Sequence, residues 1–372
     1  MSGAGLRVLL TIDAVGGVWQ YGLDLARGLD ARGVETVLAL LGPAPDAAQR
    51  CEARAIPGAT LLETGLPLDW LCDGPAPVLA ASAAINEMAR ACRADVVQFN
   101  MPTLAAAAPP PVPVVAVTHG CVATWWQAAK PGQALAAEYR WHRRLMAEGL
   151  RSADRLVAPT ASYARMVGRH YGLPRAPLVV HNGRSPLARH RGRVQTDRVL
   201  TVGRLWDQVK RAELLDRVAS RLAVPFDAAG AVTGPHGERI PIEHLHPLGQ
   251  LDAAALGRHL AARPIFVSAA SFEPFGLAVL EAAAAGCALI LSDIPSFREL
   301  WDGVATFVPV DDETGYVHAI EAILGDAAER CRLGEAARQR AARYTPGSMA
   351  GAMHALYLDM LDEDTPGGRV AA

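Results

Sequence analysis

Short apolar runs of strand length alternate with helix-length segments along the chain, and one polar interruption divides the series in two. Residues 6–12, 34–41, 95–99, 112–118, 156–158 and 178–181 form the first set of apolar runs. Between them, residues 19–31 carry apolar side chains at helical spacing, and residues 133–151 carry a stripe of Leu135, Tyr139, His142, Met146 and Leu150. A strand buried on both faces reads as an unbroken apolar run, and parallel strands joined by helical crossovers produce this alternation. The Pro- and Arg-rich stretch 183–197 breaks the pattern. It restarts at Val199–Val202, continues through 264–270 and reaches Thr306–Val308. After Ala342 a Tyr-Thr-Pro-Gly-Ser run interrupts a helix, and a last helical segment follows at 349–361. The expected fold class is α/β, with two successive parallel-sheet units joined by one linker.

A chain of 372 residues is long enough for two domains of ordinary size. Net charge is −2, so no basic excess favours nucleic acid as a partner. No apolar run approaches the roughly 20 residues that span a bilayer. Residues 1–5 lack the positive start of a signal peptide, and 6–12 is too short for its apolar region. Six cysteines without a CxxC pair read as reduced thiols, and a cytoplasmic location is expected. GxGxxG, HExxH, GxSxG and GxxxxGK[ST] are all missing, which argues against a dinucleotide enzyme, a zinc or serine hydrolase and a P-loop. Asp362-Glu363-Asp364 has the form of a metal-binding DxD, but no strand precedes it, and it reads as a solvated tail.

The run from Ser271 to Glu281 carries the chemistry. The apolar strand 264–270 precedes it and the helix-forming segment 278–285 follows, so Gly276 falls where a tight turn enters a helix. Free amides at a helix N-terminus, here those after Phe275 at Gly276 and Leu277, hold phosphate or another anion. Glu273 lies just before that site, and Glu281 one turn along the helix from Leu277. An anion site between two acidic acceptors suits a ligand with hydroxyls at both ends and phosphates in the middle, such as a nucleotide-diphosphate sugar.

Three further loops follow strands. Gly16 and Gly17 after the first strand let backbone approach a phosphate or a sugar, or else serve a turn that needs positive φ. His119 sits between Thr118 and Gly120 at a strand end, near Trp125 and Trp126, where a structural role is the alternative. The tryptophans suit a sugar face, a lipid or the core equally. Arg204 and Lys210 share the loop after Val199–Val202 and are placed to neutralise a leaving diphosphate, whose charge grows in the transition state. Arg211 competes with Lys210. Only two of 36 basic residues are lysines, Lys130 and Lys210, which favours Lys210 as a position where arginine does not fit. Ser296 and Glu299 read as a capping box. Eight arginines against three acids between Glu138 and Arg175 leave the alternatives of a solvated surface, an acidic acceptor and weak peripheral contact with anionic membrane.

Glu273-Pro274-Phe275-Gly276-Leu277, followed by Leu280-Glu281 and then Gly286 to Ser292, resembles the signature of retaining GT-B glycosyltransferases, in particular the family 4 class (glycosyl transferases group 1). His181-Asn182-Gly183 stands where that family usually has Pro-Asn-Gly. The resemblance implies two Rossmann-like domains with parallel sheets facing across a cleft. Residues 1–190 would form the acceptor side, 191–345 the NDP-sugar donor side, and 346–372 a C-terminal helix crossing back to the first domain. It also implies transfer of a sugar from a UDP- or GDP-hexose to a hydroxyl acceptor (a glycan, lipid-linked sugar or small metabolite), with retention and without a metal or other cofactor. Catalysis would rest on His119 beside the transferred sugar, with Arg204, Lys210 and Glu273. Gly16, Gly17, Phe275, Gly276, Leu277 and the ribose-binding Glu281 would hold the donor. A GT-B phosphorylase or epimerase, and an NDP-sugar-binding regulatory protein without turnover, are the alternatives.

Overall fold

A computed structural model of the chain describes residues 5–107, 110, 112–187, 195–235 and 237–364. The chain divides into two compact units. One comprises Met1–Gln127, Gly132–Gly183 and Thr345–Ala372, the other Ala128–Pro131 and Arg184–Tyr344. The expected boundary at 190 lies outside the described residues; the division falls earlier, between Gly183 and Arg184.

In the first unit, β1 (Arg7–Asp13), β2 (Glu35–Leu41), β3 (Ala59–Leu66), β4 (Val96–Phe99), β5 (Val114–Val117), β6 (Arg155–Ala158) and β7 (Leu178–Val179) form one sheet in the order β3-β2-β1-β4-β5-β6-β7. In the second, β8 (Val199–Val202), β9 (Phe226–Ala229), β10 (His246–Gly249), β11 (Ile265–Ser268), β12 (Leu289–Ser292) and β13 (Thr306–Val308) run in the order β10-β9-β8-β11-β12-β13. Every pairing between these strands is parallel. Alternation along each strand feeds two cores. Val8, Leu10 and Ile12 pack on one face of the first sheet and Leu9 on the other, while Val199, Ile265 and Ile290 oppose Leu200, Phe266 and Leu289 across the second. Burial on both faces is the reason the inner strands β1, β4, β5, β8, β11 and β12 are largely apolar, whereas the outer strands β3, β7 and β10 stay partly or mostly exposed.

The last helix, Pro346–Asp364, returns to the first unit and packs along the first helix, Gly17–Asp30. Arg32 Nη2 donates to the Gly347 carbonyl at 2.8 Å. The two helices meet tightly at Gly28, where a Cβ would lie 2.5 Å from the Ala350 Cβ and 2.9 Å from the Pro346 carbonyl oxygen. The chain's exit and return also touch: a Cβ on Gly183 would sit 2.1 Å from the Thr345 oxygen, so glycine is required there by space.

Three local expectations need correction. The helix expected over 133–151 is α-helical only at Arg140–Ser152, behind a 3-10 turn at Ala137–Tyr139, because Gly132 turns the chain with φ 78° and Ala136 is extended. The Ser296 capping box does not form: Ser296 lies inside the helix Pro295–Trp301, whose N-cap is Ile294. The Asp362 to Asp364 run does not trail the last helix; it is its final turn. No helix among the described residues is long and apolar enough to cross a membrane.

Gly28→Val should overpack the contact between the first and last helices at a cost of about 1–3 kcal/mol. A thermal melt should show a Tm several degrees lower where the first unit melts as its own domain, at about 2–4 °C per kcal/mol for domains of about 150–250 residues. An unchanged Tm would show that the last helix is not seated as described.

Candidate active site

Strand order reverses between β1 and β4 in the first sheet and between β8 and β11 in the second. Loops leaving adjacent strands part company at such a point and open a crevice at the strands' carboxyl ends, where open α/β sheets bind ligands. The loops after β8 and β11 carry Arg204, Lys210 and Glu273. Those after β1 and β4 carry Gly16 and Asn100.

In the second unit the two loops are tied by a hydrogen bond from the Ser271 amide to the Val209 carbonyl, 2.9 Å. Lys210 Nζ meets Glu273 Oε2 at 2.5 Å, and each side chain keeps about a fifth of its surface exposed (21% and 20%). The Glu273 carbonyl accepts from Ser296 Oγ at 2.5 Å, so Ser296 holds the loop instead of capping its own helix. Arg204 is half exposed. It lies 3.0 Å from the buried Asp207 carboxylate and stacks 5.6 Å from the centre of the Trp206 ring. Arg211, the competing cation, sits in the left-handed region at φ 58° and turns to Asp311.

Gly276 caps the helix Leu277–Ala285 with φ 91° and ψ 69°, a conformation that needs glycine, and the first amides of that helix have no partner within it. Phe275 is buried and meets the Tyr344 ring edge-on at 5.8 Å, which anchors the turn from beneath. A small cavity between the two loops is lined by Gly203, Lys210, Glu273 and Gly276.

Glu281 is buried, and its Oε1 accepts from Arg184 Nε at 2.7 Å, with the two side chains only 9% and 6% exposed. Sequence reasoning missed Arg184. It stands in the polar break that read as a linker, 97 residues from its partner. Its only signal was a cation directly after Asn182-Gly183.

In the first unit, Gly16 caps the helix that begins at Gly17, with φ −148°. The positive φ offered as an alternative reason for glycine is therefore not present. A Cβ at Gly16 would meet nothing within 4 Å, so the chain's own packing does not demand glycine there. Asp13 Oδ1 accepts from the Val15 and Gly16 amides at 2.9 and 3.2 Å and shapes the turn.

His119 follows β5. Its Nε2 lies 3.1 Å from Asn100 Oδ1, and its ring packs edge-on against Tyr21, 4.4 Å between centres. The residue is half-buried, and desolvation of its ring lowers its pKa from 6.5 to about 4. Trp126 tilts against Tyr139 at 5.9 Å. The basic excess over 138–175 is partly engaged within the chain: Arg155 pairs with Glu363 at 2.6 Å, Arg151 donates to the Tyr171 carbonyl, and Arg144 lies 3.6 Å from Glu148.

Both halves of the chain match known families. Residues 15–186 match the model described as Glycosyltransferase Family 4, and residues 196–326 the model described as Glycosyl transferases group 1. The two sheets are those of the GT-B fold, and the chain belongs to the GT-B glycosyltransferases of the family 4 type. A D-inositol 3-phosphate glycosyltransferase of Geodermatophilus obscurus is 31% identical over 245 residues, covering 57% of this chain and 54% of that protein. The chain spans 27% and 54% of the length of the first two curated relatives it matches. Sucrose-phosphate synthase from Thermosynechococcus elongatus superposes with a TM-score of 0.76 at 17% identity, over 96% of this chain and all of that one. Anabaena Alr3699/HepE, solved with UDP and glucose, superposes with a TM-score of 0.69 at 14% identity, over 96% of this chain and all of that one. At these identities the structures share the fold.

Arg184→Met should leave the Glu281 carboxylate buried without its cation, at a cost of about 3–5 kcal/mol. Arg184→Met combined with Glu281→Leu should recover most of that loss in urea melts. A single variant as stable as the wild type would mean that the pair is not formed.

Proposed function

We propose that this protein transfers a hexosyl group from a nucleotide-diphosphate sugar to a hydroxyl acceptor, with retention of anomeric configuration. The observation that carries the reading is the Lys210–Glu273 pair, which lines one cavity with Gly276 and the first turn of Leu277–Ala285, where the helix leaves amides unpaired within it. A cation, a helix N-terminus and a carboxylate within one crevice match the three parts of such a donor's reacting end. The amides and Lys210 suit the diphosphate, and Glu273 suits the sugar hydroxyls. Glu281, held by Arg184, is assigned the ribose.

Arriving diphosphate would draw Lys210 away from Glu273 and free the carboxylate for the sugar. As the glycosidic bond breaks, negative charge builds on the leaving diphosphate, and Lys210 and Arg204 stabilise it more than they stabilise the bound donor. His119 is assigned to the transferred sugar. No nucleophile is assigned among the described side chains, so attack on the face of departure, with the diphosphate taking the proton, is the step adopted. The positive charge already supplied makes a metal dispensable on this reading. UDP- and GDP-hexoses are the proposed donors, UDP with support from the UDP-bound fold relative. The acceptor is proposed as a glycan, a lipid-linked sugar or a small metabolite. Six free cysteines support a cytoplasmic location.

A thermal-shift panel of UDP-, GDP-, ADP- and dTDP-sugars tests donor binding, since a ligand that binds only the folded state raises Tm by mass action. Stabilisation by none of them in a folded protein would overturn the reading. With the stabilising donor, Lys210→Ala should lower kcat by about 100- to 1000-fold, the scale of a lost oxyanion donor. Arg211→Ala should change kcat little, because Arg211 faces Asp311. The reverse ranking would move the catalytic cation to Arg211. Calorimetry should also separate the glutamates: Glu281→Ala should weaken both free NDP and NDP-sugar, whereas Glu273→Ala should spare free NDP.

A further inference from the structure

We propose that Asn100, itself locked by Thr11 and by a Gln98–Tyr357 hydrogen bond from the C-terminal helix, fixes the His119 proton on Nε2 and leaves Nδ1 as an acceptor for a sugar hydroxyl. The inference rests on the glycosyltransferase reading for its ligand, but the proton's position follows from the chain alone.

A backbone carbonyl can only accept. The Thr11 carbonyl of β1 faces the Asn100 side chain at 2.7 Å, so the group presented there must be the amide NH2. The Asn100 backbone amide donates to Thr11 Oγ1 at 2.9 Å and pins the same residue from its other side. Asn100 Oδ1 is thereby turned to its two remaining neighbours, Gln98 and His119, and must accept from both. Gln98 Nε2 supplies one bond at 3.0 Å. His119 Nε2, at 3.1 Å, must supply the other and must carry a proton.

Gln98 is oriented in turn. Its Oε1 accepts from the Tyr357 hydroxyl, 259 residues away on Pro346–Asp364, and its Nε2 also reaches the Tyr21 hydroxyl at 3.2 Å. Thr11, Gln98, Asn100, Tyr21 and Tyr357 are all buried, so water does not compete for these bonds.

Neutrality of the ring completes the argument. Among the described residues, Tyr21 faces the imidazole directly and Tyr357 through Gln98. Burial drives both phenols up, so neither is charged near neutral pH. Burial alone holds His119 down, near 4. With one proton, on Nε2, the imidazole offers Nδ1 as a lone pair. That nitrogen accepts from a hydroxyl and cannot donate to a carboxylate, so the sugar group seated on it is a hydroxyl. Asn100, Gln98 and Tyr357 are positioning residues here.

The test is nitrogen-15 NMR of the full chain with labelled histidine, assigned by the signal lost in His119→Gln. Wild-type His119 should show the Nε2–H tautomer and should not titrate between pH 8 and about 5. An Nδ1–H tautomer, or a midpoint near the ordinary 6.5, would overturn the proposal without any need for a variant. Asn100→Asp places a carboxylate against Nε2 and should raise the midpoint above about 7. Tyr357→Phe, which removes only the hydroxyl, should populate the second tautomer; an unchanged spectrum would remove the C-terminal helix from the relay.

Turnover is then followed with UDP-glucose, GDP-mannose and UDP-glucuronate. In Asn100→Asp the imidazolium forms as pH falls through the raised midpoint, so kcat for the accepted hexose should fall at least tenfold between pH 8.5 and 6, with the wild type flat. The expected tautomer with none of the three donors turned over would support the relay and overturn the transfer reading. A titrating His119 in an active wild type would do the opposite.

Discussion

Parallel pairing governs where chemistry can be placed in this chain. Strands that all run one way cannot be joined by hairpins, so each connection crosses back over a face of the sheet and every outgoing loop lies at the same end. Both sheets then reverse their order once, at β1/β4 and at β8/β11, and the outgoing loops separate there. The turns that carry Asp13, Asn100, Arg204, Lys210 and Glu273 all leave these four strands. The strands beneath are buried on both faces, which fixes their register and gives the loops of each sheet a defined arrangement within their own unit.

How much of this is legible in sequence depends on the range of each interaction. The turn at Gly276 and the helix after it are local: a strand, a glycine and an alanine-rich run are contiguous, and the conformation follows from them. Most inner strands are legible for the same reason, since two-faced burial writes an apolar run into them; β3 and β9, interrupted by Glu63 and Asp227, carry no such run and are not legible. The edge strand β10 is not, because His246 and Pro247 are exposed and carry no apolar signal. Nor are the partners of the site residues. Arg184 meets Glu281 from 97 residues away, and Tyr357 reaches Gln98 from 259. Spacing within a motif contains nothing about such pairs. Ser296 misled for a related reason: its spacing to Glu299 suits a cap, but tertiary structure assigns its hydroxyl to the Glu273 carbonyl.

The two glutamates of the signature illustrate how burial divides labour between like residues. Glu281 and Arg184 are almost wholly enclosed, and separating them would leave an uncompensated charge in a medium that solvates it poorly. That pair is a fixed part of the fold. Lys210 and Glu273 keep about a fifth of each side chain in contact with solvent (21% and 20%). Water can solvate both ends when they part, so on the proposed reading the net cost of breaking the pair is small compared with the gain from a doubly charged diphosphate beside Lys210. On the proposed reading the buried pair holds the part of the donor that does not react. The exposed pair exchanges its partners at the bond that does. Arg211 makes the same point by contrast: one residue from Lys210, it is turned out by its left-handed backbone to a mostly exposed Asp311. Backbone conformation, more than charge or sequence proximity, decides which cation of the loop faces Glu273.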